Sequence, residues 1–161
     1  MSRSVRLLAL LSRRLHNAGL VMLAVGILAL IAHLSHEPLL MAPFAPSILA
    51  ILTQPRNPHV APNVLIAAYI VATVTAVLLK SVLPPEWWSV AIAVGIAMLM
   101  LEALDILHPP AVAMPILVML GSGDFPLPAF TIGVVSLAGL SMIGRRLPRR
   151  AEHPAITQPA E

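Results

Sequence analysis

Six stretches of this chain carry no Asp, Glu, Lys or Arg: residues 15–36, 38–55, 57–79, 87–101, 106–123 and 125–144. Nothing else in the sequence limits the possible folds as strongly. An uncharged apolar run of about 18 residues is long enough to cross a hydrocarbon core of about 30 Å as a helix. A soluble core has no use for so many such runs in succession. Only 11% of the residues are charged and 58% are hydrophobic, whereas an ordinary soluble domain is about a quarter charged. The reading is an all-α polytopic transmembrane helix bundle, with no room for a separate soluble domain.

Taken in order, residues 1–16 set Arg3, Arg6, Arg13 and Arg14 opposite Leu8, Leu11 and Leu15 on a helical wheel. This predicts a basic amphipathic N-terminal segment lying on an anionic cytoplasmic leaflet of the lipid bilayer. Four full spans are expected at 17–34, 64–83, 87–107 and 126–144, within a transmembrane domain at 17–147; residues 148–161 read as a disordered tail. Trp87 and Trp88 suit an aromatic belt at the start of the third span. Two shorter segments lie between the spans. Residues 38–53 contain Pro38, Pro43 and Pro46, and residues 108–121 contain Pro109, Pro110 and Pro115. As helices they would rise about 20–24 Å, so both are expected to be re-entrant, dipping in from the outer side and returning to it. Four arginines precede the first span and four follow the last. Both termini are therefore expected in the cytoplasm with Lys80, leaving Arg56 outside. The order span, Pro-broken segment, span occurs at 17–83 and again at 87–144. Since each unit would begin and end inside, the internal repeat is expected to be parallel.

The candidate site lies where the third span stops. Glu102, Asp105 and His108 are spaced three apart, and Pro109 and Pro110 cannot continue a helix. Ionisable groups within a span are costly enough to suggest a function by default; here that is a substrate site at His108 and a proton path through Glu102 and Asp105. The triplet spreads over about 9 Å of helix, too far for one metal ion, so no metal and no cofactor are expected. The formal charge of +3 comes from basic residues flanking apolar spans, which favours a membrane surface over nucleic acid. No nucleotide loop or catalytic triad context is present, so an enzyme is not expected.

Three motifs, A-P-F-A-P-S at 42–47, N-P-H-V-A-P-N at 57–63 and H-P-P-A at 108–111, occur in an order that resembles the HPP family of four-span integral membrane proteins. The resemblance covers about residues 20–147. The sequence departs from the family's usual P-F-G-A-S at Ala45 and Pro46, and from its usual H-P-P-A-G-A-T at Val112 and Met114. Plant plastid members are linked to nitrite transport, so the resemblance implies a transporter or channel for a small ion, a small inorganic anion such as nitrite among them. The substrate-binding residues expected on this reading are His108, Pro109, Pro110, Ala111, Ser47 and Pro43. The membrane expected is a bacterial inner (plasma) membrane, and a homo-oligomer is open at this stage. The alternative is a small, non-transporting structural subunit of a membrane assembly.

Overall fold

The computed structural model describes residues 3–35, 41–121 and 125–146. Six helices follow one another: α1 (Arg3–Ser35), α2 (Met41–Thr53), α3 (Pro62–Lys80), α4 (Trp87–Ala103), α5 (Met114–Leu120) and α6 (Leu127–Arg146), with 3₁₀ turns at Pro58–Val60 and Pro109–Ala113. There is no strand among the described residues. The expected tail, 148–161, lies outside them.

The punctuation follows from local chemistry. Pro62 is the first residue of α3, where its missing N–H is not needed. Helix α4 closes in a Schellman motif. The Asp105 N–H donates to the Glu102 carbonyl and the Ile106 N–H to the Leu101 carbonyl, both at 3.0 Å, with Asp105 left-handed at φ 53°. His108 is extended, at φ −123° and ψ 101°, as the residue before a proline prefers. Helix α1 runs unbroken through Leu15, His16 and Asn17, so no interfacial helix separates from the first span. At 33 residues it is about 50 Å long, longer than any hydrocarbon core. No proline interrupts it, and its lone glycines, Gly19 and Gly26, do not end it.

The ends of the bundle are tied by specific bonds. At one end Arg145 Nη2 donates to the Asn57 carbonyl at 3.0 Å, His59 Nδ1 to the Leu107 carbonyl at 2.7 Å, and Ser141 Oγ to the Val60 carbonyl. At the other, Lys80 Nζ donates to the Val118 and Gly121 carbonyls at 2.8 and 2.9 Å. Lys80 thus caps α5 instead of snorkelling outward. These bonds place residues 54–60 beside the C-terminal end of α6, and Lys80 at the far end from it. Phe44, early in α2, lies against Gly133, early in α6, while Ile51 and Pro55 lie against Gly144 near its end.

Both Pro-broken segments therefore run the length of the bundle, and neither returns to the end it left. This corrects the expected re-entrant arrangement. Segment length alone misleads here because the loops supply the missing depth. The His59 and Val60 carbonyls are bonded by His108 and Ser141, and the Leu107 carbonyl by His59; irregular backbone is acceptable within a membrane protein when protein receives it. The parallel repeat, which required each unit to begin and end on the same side, loses that premise: the halves consist of α1, α2, α3 and of α4, 109–120, α6.

The core is packed between α2, α3, α6 and the second broken segment. Phe44, Ile51, Leu65, Tyr69, Leu101 and Met114 are its largest fully buried apolar residues. The outer surface is apolar too. Ile66, Ile70, Val74 and Leu78 on α3, and Ile132, Val135, Met142 and Ile143 on α6, are all exposed. Helices α3 and α6 are long and apolar enough to cross a membrane. A continuous apolar exterior of this kind is a liability in water and is expected against lipid.

Candidate functional site

Pro46 lies inside α2 and has no N–H to give its own helix. One residue on, Ser47 faces the core and is fully buried. The Pro43 carbonyl, one turn back, takes a bond from the Tyr69 hydroxyl at 2.7 Å and a longer one from Ser47 Oγ at 3.2 Å. Ser47 Oγ also meets the Tyr69 hydroxyl and His108 Nε2, each at 2.7 Å. His108, likewise fully buried, uses its other ring nitrogen, donating from Nδ1 to the His59 carbonyl at 2.8 Å. The Nδ1 assignment follows from its partner, whereas the Ser47 hydroxyl facing Nε2 can donate or accept. A carbonyl can only accept, so Nδ1 carries the hydrogen. The result is one polar thread that joins the middle of α2, the middle of α3, the turn at 58–60 and the break before Pro109.

His59 braces the same place from the other direction, since its Nδ1 donates to the Leu107 carbonyl. The turn holding it is capped by Asn57, whose Oδ1 accepts the His59 N–H at 2.9 Å and whose Nδ2 donates to Gln54 Oε1 at 2.8 Å. Gln54, Pro55, Arg56, Asn57, Pro58 and His59 line an open cleft of about 650 Å³ at this end of the bundle. Around the thread the surroundings are aromatic. Tyr69 packs edge-on to Phe44 at a 5.2 Å ring separation and tilts over His108 at 5.8 Å.

Of the residues singled out from sequence, the structure brings Pro43, Ser47 and His108 together. Pro43 contributes its carbonyl. Ala111 is buried beneath them; Pro110 is half-buried and Pro109 exposed, and these prolines act through the backbone by holding His108 extended. Glu102 and Asp105 are exposed and stand apart from the thread. Sequence reasoning misses Tyr69 and His59. A signal for the first exists: Tyr69 is the chain's single tyrosine, placed mid-way along an apolar helix, where a hydroxyl needs a partner.

With that geometry in place, comparison supplies a family. The profile described as HPP, transmembrane region, matches residues 9–154. The chain belongs to the HPP transmembrane family. It is accordingly an integral membrane protein, and the HPP tripeptide itself, His108–Pro109–Pro110, is the point where the buried thread meets the second broken segment. No curated protein and no solved structure matches it.

Proposed function

We propose that this HPP-family protein transports a small ion, with a small inorganic anion such as nitrite as the substrate class, through a site built on Ser47, Tyr69 and His108. The observation that carries the reading is a fully buried hydroxyl–imidazole cluster where the two Pro-broken segments meet. Transporters place substrate sites at such crossings, and intramembrane polar groups are retained for function. The cleft beside it is lined by Arg56, Asn57 and His59, a cation and polar groups suited to collecting an anion. Pro43, Pro109, Pro110 and Ala111 shape the backbone of this site, and a proton path through the exposed Glu102 and Asp105 would lead to it from outside. The membrane we propose is a bacterial plasma membrane, with the arginine-rich end, both termini included, in the cytoplasm.

The test is flux. Purified protein in liposomes should carry nitrite, nitrate or formate inward down a gradient, and His108→Gln and Ser47→Ala should each reduce the rate at least about tenfold, the loss of one charge-assisted hydrogen bond. Folded protein that moves none of these anions, nor protons, would refute transport and leave the structural-subunit reading.

A further inference from the structure

Four short contacts run in line through the site: His59 carbonyl to His108 Nδ1, His108 Nε2 to Ser47 Oγ, Ser47 Oγ to the Tyr69 hydroxyl, and the Tyr69 hydroxyl to the Pro43 carbonyl, at 2.8, 2.7, 2.7 and 2.7 Å. The two ends are carbonyl oxygens, which only accept. Each contact needs one hydrogen between its heavy atoms. A neutral imidazole, a serine and a tyrosine hold one apiece, three in all. The Nδ1 hydrogen is committed to His59. If Ser47 then donates to Nε2 and Tyr69 to Pro43, the two hydroxyl oxygens face each other at 2.7 Å with no hydrogen between them. Turning either hydroxyl only moves the gap, to Pro43 or to Nε2. The 3.2 Å contact from Ser47 to Pro43 offers another acceptor and no hydrogen. One more proton, on Nε2, completes every contact: Nε2–H to Ser47, Ser47 O–H to Tyr69, Tyr69 O–H to Pro43.

We infer that this thread is a binding site for one proton, held between His108 and Ser47, and that a small monovalent anion enters with it. The inference rests on the transport reading and adds the coupling ion. Its second half follows from the surroundings. The titratable groups facing His108 are His59, from the turn at 58–60, and Tyr69, from α3. Helix α2, the stretch 109–113 and α5 contain no ionisable side chain. The acids at the end of α4, Glu102 and Asp105, are exposed, and Arg145 of α6 reaches only the Asn57 carbonyl. Among the described residues nothing anionic pairs with a proton placed here. An unpaired buried charge is expensive, so the proton and an anion stabilise each other's presence, and the pair crosses without net charge.

The experiment is nitrogen NMR of the full chain in nanodiscs with ¹⁵N-labelled histidine, the His108 signals being those lost in His108→Gln. Sodium nitrite is the probe and potassium gluconate, a much bulkier anion, the control. Nitrite should convert His108 from one ring N–H to two, with uptake of one proton per chain from a weakly buffered medium. Ser47→Ala removes the partner of Nε2, so a hydrogen on that nitrogen no longer has its acceptor and a buried charge no longer has its bond; it should lower the imidazolium-to-imidazole ratio at least about tenfold. Tyr69→Phe shortens the thread but leaves it one hydrogen short, through Nε2, Ser47 and Pro43, and should keep the conversion. Equal effects of the two substitutions, or a His108 that keeps a single N–H with nitrite present, would overturn the proton site. A doubly protonated His108 indifferent to nitrite would overturn the anion coupling. Flux with neutral His108 removes this inference and leaves transport standing; nitrite-linked protonation without flux does the reverse.

Discussion

Asp105 offers the clearest separation of a backbone role from an electrostatic one. Its φ of 53° lies in the left-handed region, and its N–H and that of Ile106 close the end of α4 on the Glu102 and Leu101 carbonyls. For most L-residues this conformation costs about 1–2 kcal/mol. Asp and Asn tolerate it better, and Gly best. The substitution series Asp105→Gly, Asn, Ala and Val therefore has an expected order. Gly should match or exceed the wild type, by up to about 1 kcal/mol, the gain being trimmed by the greater freedom of an unfolded glycine. Asn should be near neutral. Ala should lose about 1 kcal/mol, and Val, branched at Cβ, about 1–2 kcal/mol. For a chain of this size each kcal/mol moves the midpoint by about 2–4 °C, within reach of a thermal unfolding scan in detergent. The same samples reconstituted in liposomes should show flux falling with stability and not with charge. A carboxylate acting on protons predicts another order, with Asp best and Gly, Asn, Ala and Val all equally defective in flux. That pattern, or a Gly variant less stable than Ala, would refute a capping role.

Two further outcomes test the packing and the layout. Gly133→Ala would set a Cβ inside the Phe44 ring, so it should cost about 1–3 kcal/mol in the same thermal scan, and a smaller residue at 44 (Phe44→Leu) should recover part of it. The chain has no cysteine, so single cysteines report topology directly: Asn57→Cys should be shielded from an impermeant thiol reagent in intact cells and Ser81→Cys should react, whereas the reverse pattern would restore the re-entrant arrangement.

Much of this molecule is legible in its sequence. Charge-free runs mark the helices and the lipid-facing class, because hydrophobic length is a one-dimensional property. The prolines mark both breaks, because what they forbid is local. His108 and Ser47 are reachable from their motifs. Pairing across the fold is not. Tyr69 is 22 residues from Ser47, and His108 is 61 from it, and no periodicity links them. Asp105 reads from sequence as a charge in a span, because a left-handed φ leaves no mark when the residue is not glycine. Residues 54–60 read as a polar loop, and Gln54, Arg56, Pro58 and His59 are exposed; what the sequence does not reveal is that Val60 is buried and its carbonyl bonded by Ser141, 81 residues on.

The course of the two short segments also changes what the charges say. With residues 54–60 beside the end of α6, Arg56 joins Arg145 and Arg146. The start of α1, which carries Arg3, Arg6, Arg13 and Arg14, lies toward the same end, because α1 stops just before α2 sets out from the other. Lys80 alone is placed opposite, and its ammonium is committed to the carbonyls that close α5. Four spans would leave Arg56 as an exception, while six traversals need none of the arginines to lie on the wrong side. Basic-residue bias orients a membrane protein, and the bias here becomes stronger once the geometry is used. Hydrogen bonds within the bundle and the distribution of arginine along the chain are independent of each other, and both agree with the orientation proposed above. The two Pro-broken segments meet at Ser47 and His108, and His108 is the one buried imidazole among the described residues.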